Sequence, residues 1–251
     1  MLIPETRFII GNWKTNPDTL KESSLLAKKI SGSSDNVSVV VCPPDIFIEN
    51  VKNHFGNGIA IGAQGFSSEG SSALTGGISL SQLISLSVQY CIVGHSSQRA
   101  QGETNADVNL KIRECLAHNI IPIVCIGEKE RDENSTYLKI LESQITATFS
   151  DLSRAEFEHM IIAYEPLWAI GSDSKRSATP AEFETISLFI KKIVYDMTGQ
   201  NPVGQITIVY GGSIDTIEEA VAYNDIGAHG LLIGRASLDV RMFNKIISVF
   251  S

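Results

Sequence analysis

The chain has 251 residues, 43% hydrophobic and 19% charged, with 20 glycines and 8 prolines, which excludes disorder and small stapled scaffolds and supplies a large core. Its formal charge of -8, with no lysine or arginine cluster to offset it, argues against nucleic acid or an anionic membrane as the main partner. No apolar run approaches the roughly 18 residues of a membrane span. The opening MLIPETRF lacks the basic and apolar regions of a secretory signal, and Cys42, Cys91, Cys115 and Cys125 form no CxxC pair. The expectation is a cytoplasmic protein with buried free thiols and no metal site.

In chain order, eight short apolar, β-branched runs predict strands: RFIIGN (7–12), VSVVVC (37–42), IAIGAQ (59–64), YCIVG (90–94), IIPIVCIG (120–127), MIIAYE (160–165), QITIVYGG (205–212) and GLLIG (230–234). Runs without polar alternation suit strands covered on both faces, as in parallel sheets. Between them lie amphipathic patterns, the weaker ones being DTLKESSLLAKKI, ADVNLKIRECLAHN and STYLKILESQITATF. The clearest helix starts at Thr179-Pro180-Ala181-Glu182, a capping box with proline at the first helical position. It runs through Phe183, Ile186, Phe189, Ile190, Ile193, Val194 and Met197 at helical spacing and stops at Gly199. Asp215 to Glu218 reads as a second Asp-x-x-Glu start.

Eight strand-helix alternations in this length fit an α/β fold closed into a single-domain (β/α)8 barrel over residues 1–251. An open doubly wound sheet is the runner-up, but GNWKTN after the first strand is not its GxGxxG turn.

In a barrel, all strand carboxyl ends open on one face, so polar residues there converge. They are Asn12 and Lys14 after the first strand, Gln64 after the third, His95 after the fourth, Glu165 ending the sixth, Ser213 after the seventh, and Gly234 and Arg235 after the eighth. Glu165, kept extended by Pro166, is either a general base at a poorly hydrated rim or a salt-bridged strand end. His95 is either structural or, if Ser96 and Ser97 open a helix, a neutral donor to a carbonyl. Lys14 is either a solvated lysine or the cation near an anionic substrate. The turns GGS (211–213) and IGRAS (233–237) have the make-up of a barrel phosphate site. EPLWAIGSDSKRSA (165–178) is a lid or a surface loop, and its apolar Leu167, Trp168 and Ile170 favour the lid.

The motifs GNWKTN, CPPDIF, GAQGFS, LTGGIS, VGHS, GET, PIVCIGE, AYEPLWAIG, ATP, IVYGGS and GRASL stand in one order along essentially the whole chain, and in that order the sequence resembles the triosephosphate isomerase family. The resemblance implies cofactor-free interconversion of glyceraldehyde 3-phosphate and dihydroxyacetone phosphate, a small phosphorylated sugar as partner, and a homodimer. It implies Glu165 as the base that moves the proton between carbons, neutral His95 as electrophile, Lys14 as the stabilising cation and Asn12 as support for the substrate oxygens, a pairing of base and neutral histidine that the resembled family carries. Main-chain N–H groups at Gly171, Ser213, Gly234 and Arg235 would hold the phosphate. Pro166 to Ala178, including Leu167, Trp168, Ala169, Ile170 and Ser172, would close as the lid. The loop from Ser72 to Ser79 would enter a partner subunit, led by Thr75 with Gly76 and Gly77.

The chain departs from that pattern at four places. Ser97, after Ser96, stands where the family has glutamate; the lid centre between Gly171 and Ser177 is longer; Gly77 replaces an acidic residue; and Arg235 replaces the second glycine of the phosphate turn, with strain expected if its φ is positive. Two further readings follow from these departures: an isomerase of a related phosphorylated sugar such as a tetrulose phosphate, or a catalytically impaired barrel that binds sugar phosphate.

Overall fold

The computed structural model describes residues 6–68, 75–170, 176–199 and 206–251. Among them, eight parallel strands close into a barrel in sequence order: β1 (Arg7–Asn12), β2 (Val37–Cys42), β3 (Ile59–Ala63), β4 (Tyr90–Val93), β5 (Ile121–Ile126), β6 (Ile161–Tyr164), β7 (Thr207–Tyr210) and β8 (Gly230–Ile233). Each strand coincides with one of the predicted runs. The barrel closes where β1 pairs with β8, Phe8 opposite Gly230 through Gly11 opposite Ile233, which removes the edges an open sheet would leave.

Alternation along the strands builds two cores. Phe8, Ile10, Val40, Cys42, Tyr90, Ile92, Ile123, Cys125, Ile161, Ala163, Val209 and Leu232 pack together in one cluster, the filling of the barrel interior. Their neighbours Ile9, Val39, Val41, Val124, Ile162 and Ile208 belong to the other cluster, shared with the helices. Every strand is thus buried on both faces, which is why its sequence shows no polar alternation.

The surrounding helices are α1 (Leu20–Ala27), α2 (Ile48–Lys52), α3 (Leu80–Ser85), α4 (Ser96–Ala100), α5 (Asn105–Ala117), α6 (Thr136–Thr148), α7 (Arg154–Phe157), α8 (Pro180–Thr198), α9 (Ile217–Asp225) and α10 (Val240–Phe250). Helix α8 has the anticipated capping box, Thr179 with Glu182, and ends at Gly199 with φ 67°. Phe183, Ile186, Ile190, Ile193 and Val194 are its buried face, while Phe189 and Met197 are partly buried at the margin of that core. Helix α9 differs from expectation by one residue. Thr216, not Asp215, caps it, boxed with Glu219: both residue types suit an N-cap, but the backbone turns into the helix one residue later, with Thr216 extended at φ -133° and ψ 161°, and Asp215 donates its N–H to Glu219 from outside it.

All four cysteines are free and buried. Among the described residues no helix is long and apolar enough to cross a membrane.

Candidate active site

Inward alternation sets the mouth of the barrel. Beyond Ile10, Ile92, Cys125, Ala163, Val209 and Leu232, the next inward level falls on Asn12, Gly94, Gly127, Glu165, Gly211 and Gly234. Four of these six have no side chain, so the level is hollow around one amide and one carboxylate. A cavity of about 250 Å³ occupies it, lined among others by Asn12, Lys14, His95, Ser96, Glu165, Ile170, Ser213, Gly234 and Arg235. Residues drawn from five strand ends therefore meet in one pocket.

Glu165 continues the ladder of β6: its N–H bonds to Ile126 at 2.8 Å, and Gly211 N–H bonds to Tyr164 at 2.8 Å. Glu165 is 4% exposed, beside His95 at 6% and Asn12 at 5%, so water is largely excluded around all three. Glu165 Oε1 lies 3.4 Å from His95 Nε2. A methyl on Gly211 would stand 2.8 Å from Glu165 Cγ, so the glycine makes the space the carboxylate occupies. Behind it sits Cys125, whose thiol burial first and then the Glu165 carboxylate push well up, leaving it protonated. Sequence reading placed Cys125 only as a buried strand residue; inward alternation on β5, two residues before Gly127, is the signal that sets it under the base.

His95 is the N-cap of α4, its ring accepting from the Ser97 N–H. Cap and site residue are therefore the same side chain. A main-chain N–H can only donate, so Nδ1 presents its lone pair and the neutral ring carries its proton on Nε2, the nitrogen facing Glu165. Arg99, one turn on, ties α4 down: its Nε donates to Gly94 O at 2.8 Å and its Nη1 to Asn105 at 2.6 Å.

Lys14 has φ 53°, in the left-handed region, at a cost of about 1–2 kcal/mol for a residue with a Cβ. Two amides hold it there. Asn12 Oδ1 accepts from the Lys14 N–H at 3.0 Å, and Gln64 Nε2 donates to the Lys14 carbonyl at 2.6 Å and to Cys42 O at 3.0 Å. Gln64 carried no role in the sequence beyond its place at a strand end; its work is to fix the backbone under the lysine.

After β8, Arg235 opens a 3-10 turn, Arg235–Leu238, on the wall of the pocket. It is exposed, and positive φ is absent there, so the arginine in place of glycine strains nothing. Ser213 is half-buried on the facing turn. Gly171 and Ser172 lie outside the described residues.

The arms of the long connection are packed rather than loose. Pro166, Ala169 and Ala178 are buried, and Leu167, Trp168 and Ile170 are half-buried. Trp168 Nε1 donates to Glu128 at 2.8 Å, and the guanidiniums of Arg131 and Arg176 lie over its ring at 4.9 and 4.6 Å. Glu182 accepts from both arginines, and its carboxyl is held down at about 2 by the Arg176 hydrogen bond foremost. The far arm is fixed at Ala178, whose carbonyl accepts from Tyr223 at 2.7 Å. Leu167 lines a second cavity of about 720 Å³ behind Glu165, with Arg99, Lys129 and Lys139 among its other walls.

Thr75, Gly76 and Gly77 are exposed and line neither cavity; residues 72–74 at the start of their loop lie outside the described residues. Ser97 stands outside the lining of that cavity and is hydrogen-bonded to His95.

A closed parallel barrel with a desolvated carboxylate, an Nε2–H imidazole and a lysine in one pocket at the strand carboxyl ends defines a (β/α)8-barrel isomerase. Comparison with known proteins makes this specific: the triosephosphate isomerase family model matches residues 7–250. Triosephosphate isomerases of Clostridium botulinum (strain Langeland) and Clostridium novyi are 41% and 39% identical, over 97% and 96% of this chain and 99% and 97% of their own lengths. That of Endomicrobium trichonymphae is 37% identical over 94% of this chain and 96% of its own. The chain belongs to the triosephosphate isomerase family.

Proposed function

We propose that this chain, acting as one catalytic unit over its whole length, interconverts glyceraldehyde 3-phosphate and dihydroxyacetone phosphate. The observation that carries the proposal is the pairing of Glu165 Oε1 with His95 Nε2 at 3.4 Å in the pocket that also holds Lys14. Glu165 removes the proton from the carbon beside the carbonyl and returns it to the neighbouring carbon. His95, donating from Nε2, polarises first one oxygen and then the other. Lys14 offsets the negative charge of the enediolate, and Asn12 supports its oxygens. The abstracted proton ends on the neighbouring carbon and the hydroxyl proton crosses from one oxygen to the other, so the isomers differ by no electrons overall and the reaction consumes no oxidant or reductant and calls for no cofactor.

The phosphate is held by the main-chain N–H groups of Ser213, Gly234 and Arg235, joined by Gly171, with the positive charges of Lys14 and Arg235 as the local attraction in an acidic protein. Pro166 to Ala178 closes over the bound substrate and keeps water from the enediolate. The exposed Thr75, Gly76 and Gly77 serve a homodimer contact. The enzyme acts in glycolysis and gluconeogenesis in the cytoplasm.

A coupled assay with triose phosphates, run beside a tetrulose phosphate, tests the reading. Turnover of the triose pair with clear preference over the larger sugar supports it. Preference for the tetrulose phosphate, or tight binding of an enediolate mimic without turnover, overturns it. Sedimentation of the full chain tests the dimer separately.

A further inference from the structure

Position 97 meets His95 twice. The Ser97 N–H donates to Nδ1 at 3.2 Å, and Ser97 Oγ lies 2.8 Å from the same nitrogen. Because the main-chain donor already commits Nδ1 to accepting, the hydroxyl reaches it as a donor too. The carboxylate that the family resemblance implies at this position is acceptor-only when ionised and cannot make that bond.

We propose that Ser97 is a positioning residue for the isomerase reaction, its hydroxyl acting as a second donor that locks His95 in the Nε2–H form and strengthens the donor aimed at the substrate oxygens. This deepens the triosephosphate isomerase reading and rests on it. A proton on Nδ1 would face the Ser97 N–H and break that bond, and it would force the hydroxyl to turn about. A donor at one ring nitrogen also draws electron density from the other, so the Nε2–H bond polarises a carbonyl more strongly.

The charged groups around the ring act in both senses. Glu165, from the end of β6, favours an added proton on the imidazole. Lys14, from the turn after β1, and Arg99, on α4 itself, oppose it. The two donors of Ser97 weigh against Glu165. With Ser97 exposed at the surface of α4, its replacement leaves the barrel core untouched.

Three variants of the full chain test the assignment: Ser97→Ala, Ser97→Thr and Ser97→Glu, each assayed for kcat and KM with the triose phosphates across pH 5.5–8.5. Ser97→Ala and Ser97→Glu are expected to lose about three- to tenfold in kcat, the size of one net hydrogen bond, with KM within about twofold. In both, the acid limb of the profile moves to higher pH, while Ser97→Thr restores the wild-type profile. Nitrogen-15 spectra of histidine-labelled protein, assigned with His95→Asn, give a readout independent of turnover: the wild type and Ser97→Thr should keep Nδ1 unprotonated further into the acid range than Ser97→Ala. An unchanged profile in Ser97→Ala, or failure of Ser97→Thr to rescue, overturns the proposal. Wild-type inactivity toward triose phosphates would instead overturn the functional reading, with the spectra still deciding whether Ser97 fixes the ring.

Discussion

Replacing Gly211 with alanine tests whether the hollow level at the barrel mouth is what places the base. The new Cβ would lie 2.8 Å from Glu165 Cγ and 3.3 Å from the Tyr164 carbonyl, against an ordinary carbon contact of about 3.5–4.0 Å. The backbone cannot yield readily, since the Gly211 N–H is bonded to that same carbonyl at 2.8 Å. Glu165 must therefore recede by about 1 Å, a misplacement of the size that costs on the order of 100-fold in rate. Overpacking also costs about 1–3 kcal/mol, a fall in Tm of roughly 2–10 °C for a chain of this length. The assay is kcat with triose phosphate alongside thermal unfolding, with Gly56→Ala as control, because a Cβ at Gly56 meets nothing within 4 Å. A folded Gly211→Ala enzyme within threefold of the wild-type kcat would refute the reasoning.

Glu165→Gln removes the base while keeping the shape, and kcat is expected to fall by about 100- to 10,000-fold with little change in Tm; a loss of less than tenfold would mean another group takes the proton. His229 governs acid stability. Burial, then Lys191 and Arg7, lower it from 6.5 to about 4, and its Nδ1 accepts from the Ile208 N–H at 3.0 Å. Because the unfolded chain binds the proton first, this contribution is fully present above pH 6.5 and is lost as pH falls to about 4, on the order of 3 kcal/mol in all. His229→Gln should therefore lose roughly 5–10 °C less Tm than the wild type between pH 7 and pH 4.5, and equal pH slopes would count against it.

The barrel could be read from the sequence because strands buried on both faces leave unbroken apolar runs, and eight of these separated by helix-length segments leave few other folds. The Thr179 box could be read because both partners lie within one turn. Thr216 was missed in favour of Asp215 because both residue types cap helices and only the backbone path decides between them. The convergence of Asn12, Lys14, His95 and Glu165 followed from strand-end logic, although no single residue announced its role. Other features depend on contacts across strands. Gln64 reaches Lys14 over 50 positions, Gly211 makes room for Glu165 over 46 positions, and nothing local to either residue encodes the pairing. The hydroxyl bond from Ser97 to His95 is local, but whether it forms depends on α4 starting at Ser96 rather than a residue later.

Lys14 has a consequence for how the sequence can drift. Its left-handed backbone is one that glycine adopts freely, so a screen for heat resistance alone should enrich Lys14→Gly, which relieves about 1 kcal/mol of strain while discarding the ammonium. Stability and activity pull in opposite directions at this one position. A lineage freed from selection for turnover should lose the lysine before it loses the barrel, and a thermostable but inactive Lys14→Gly protein would be the laboratory form of that loss.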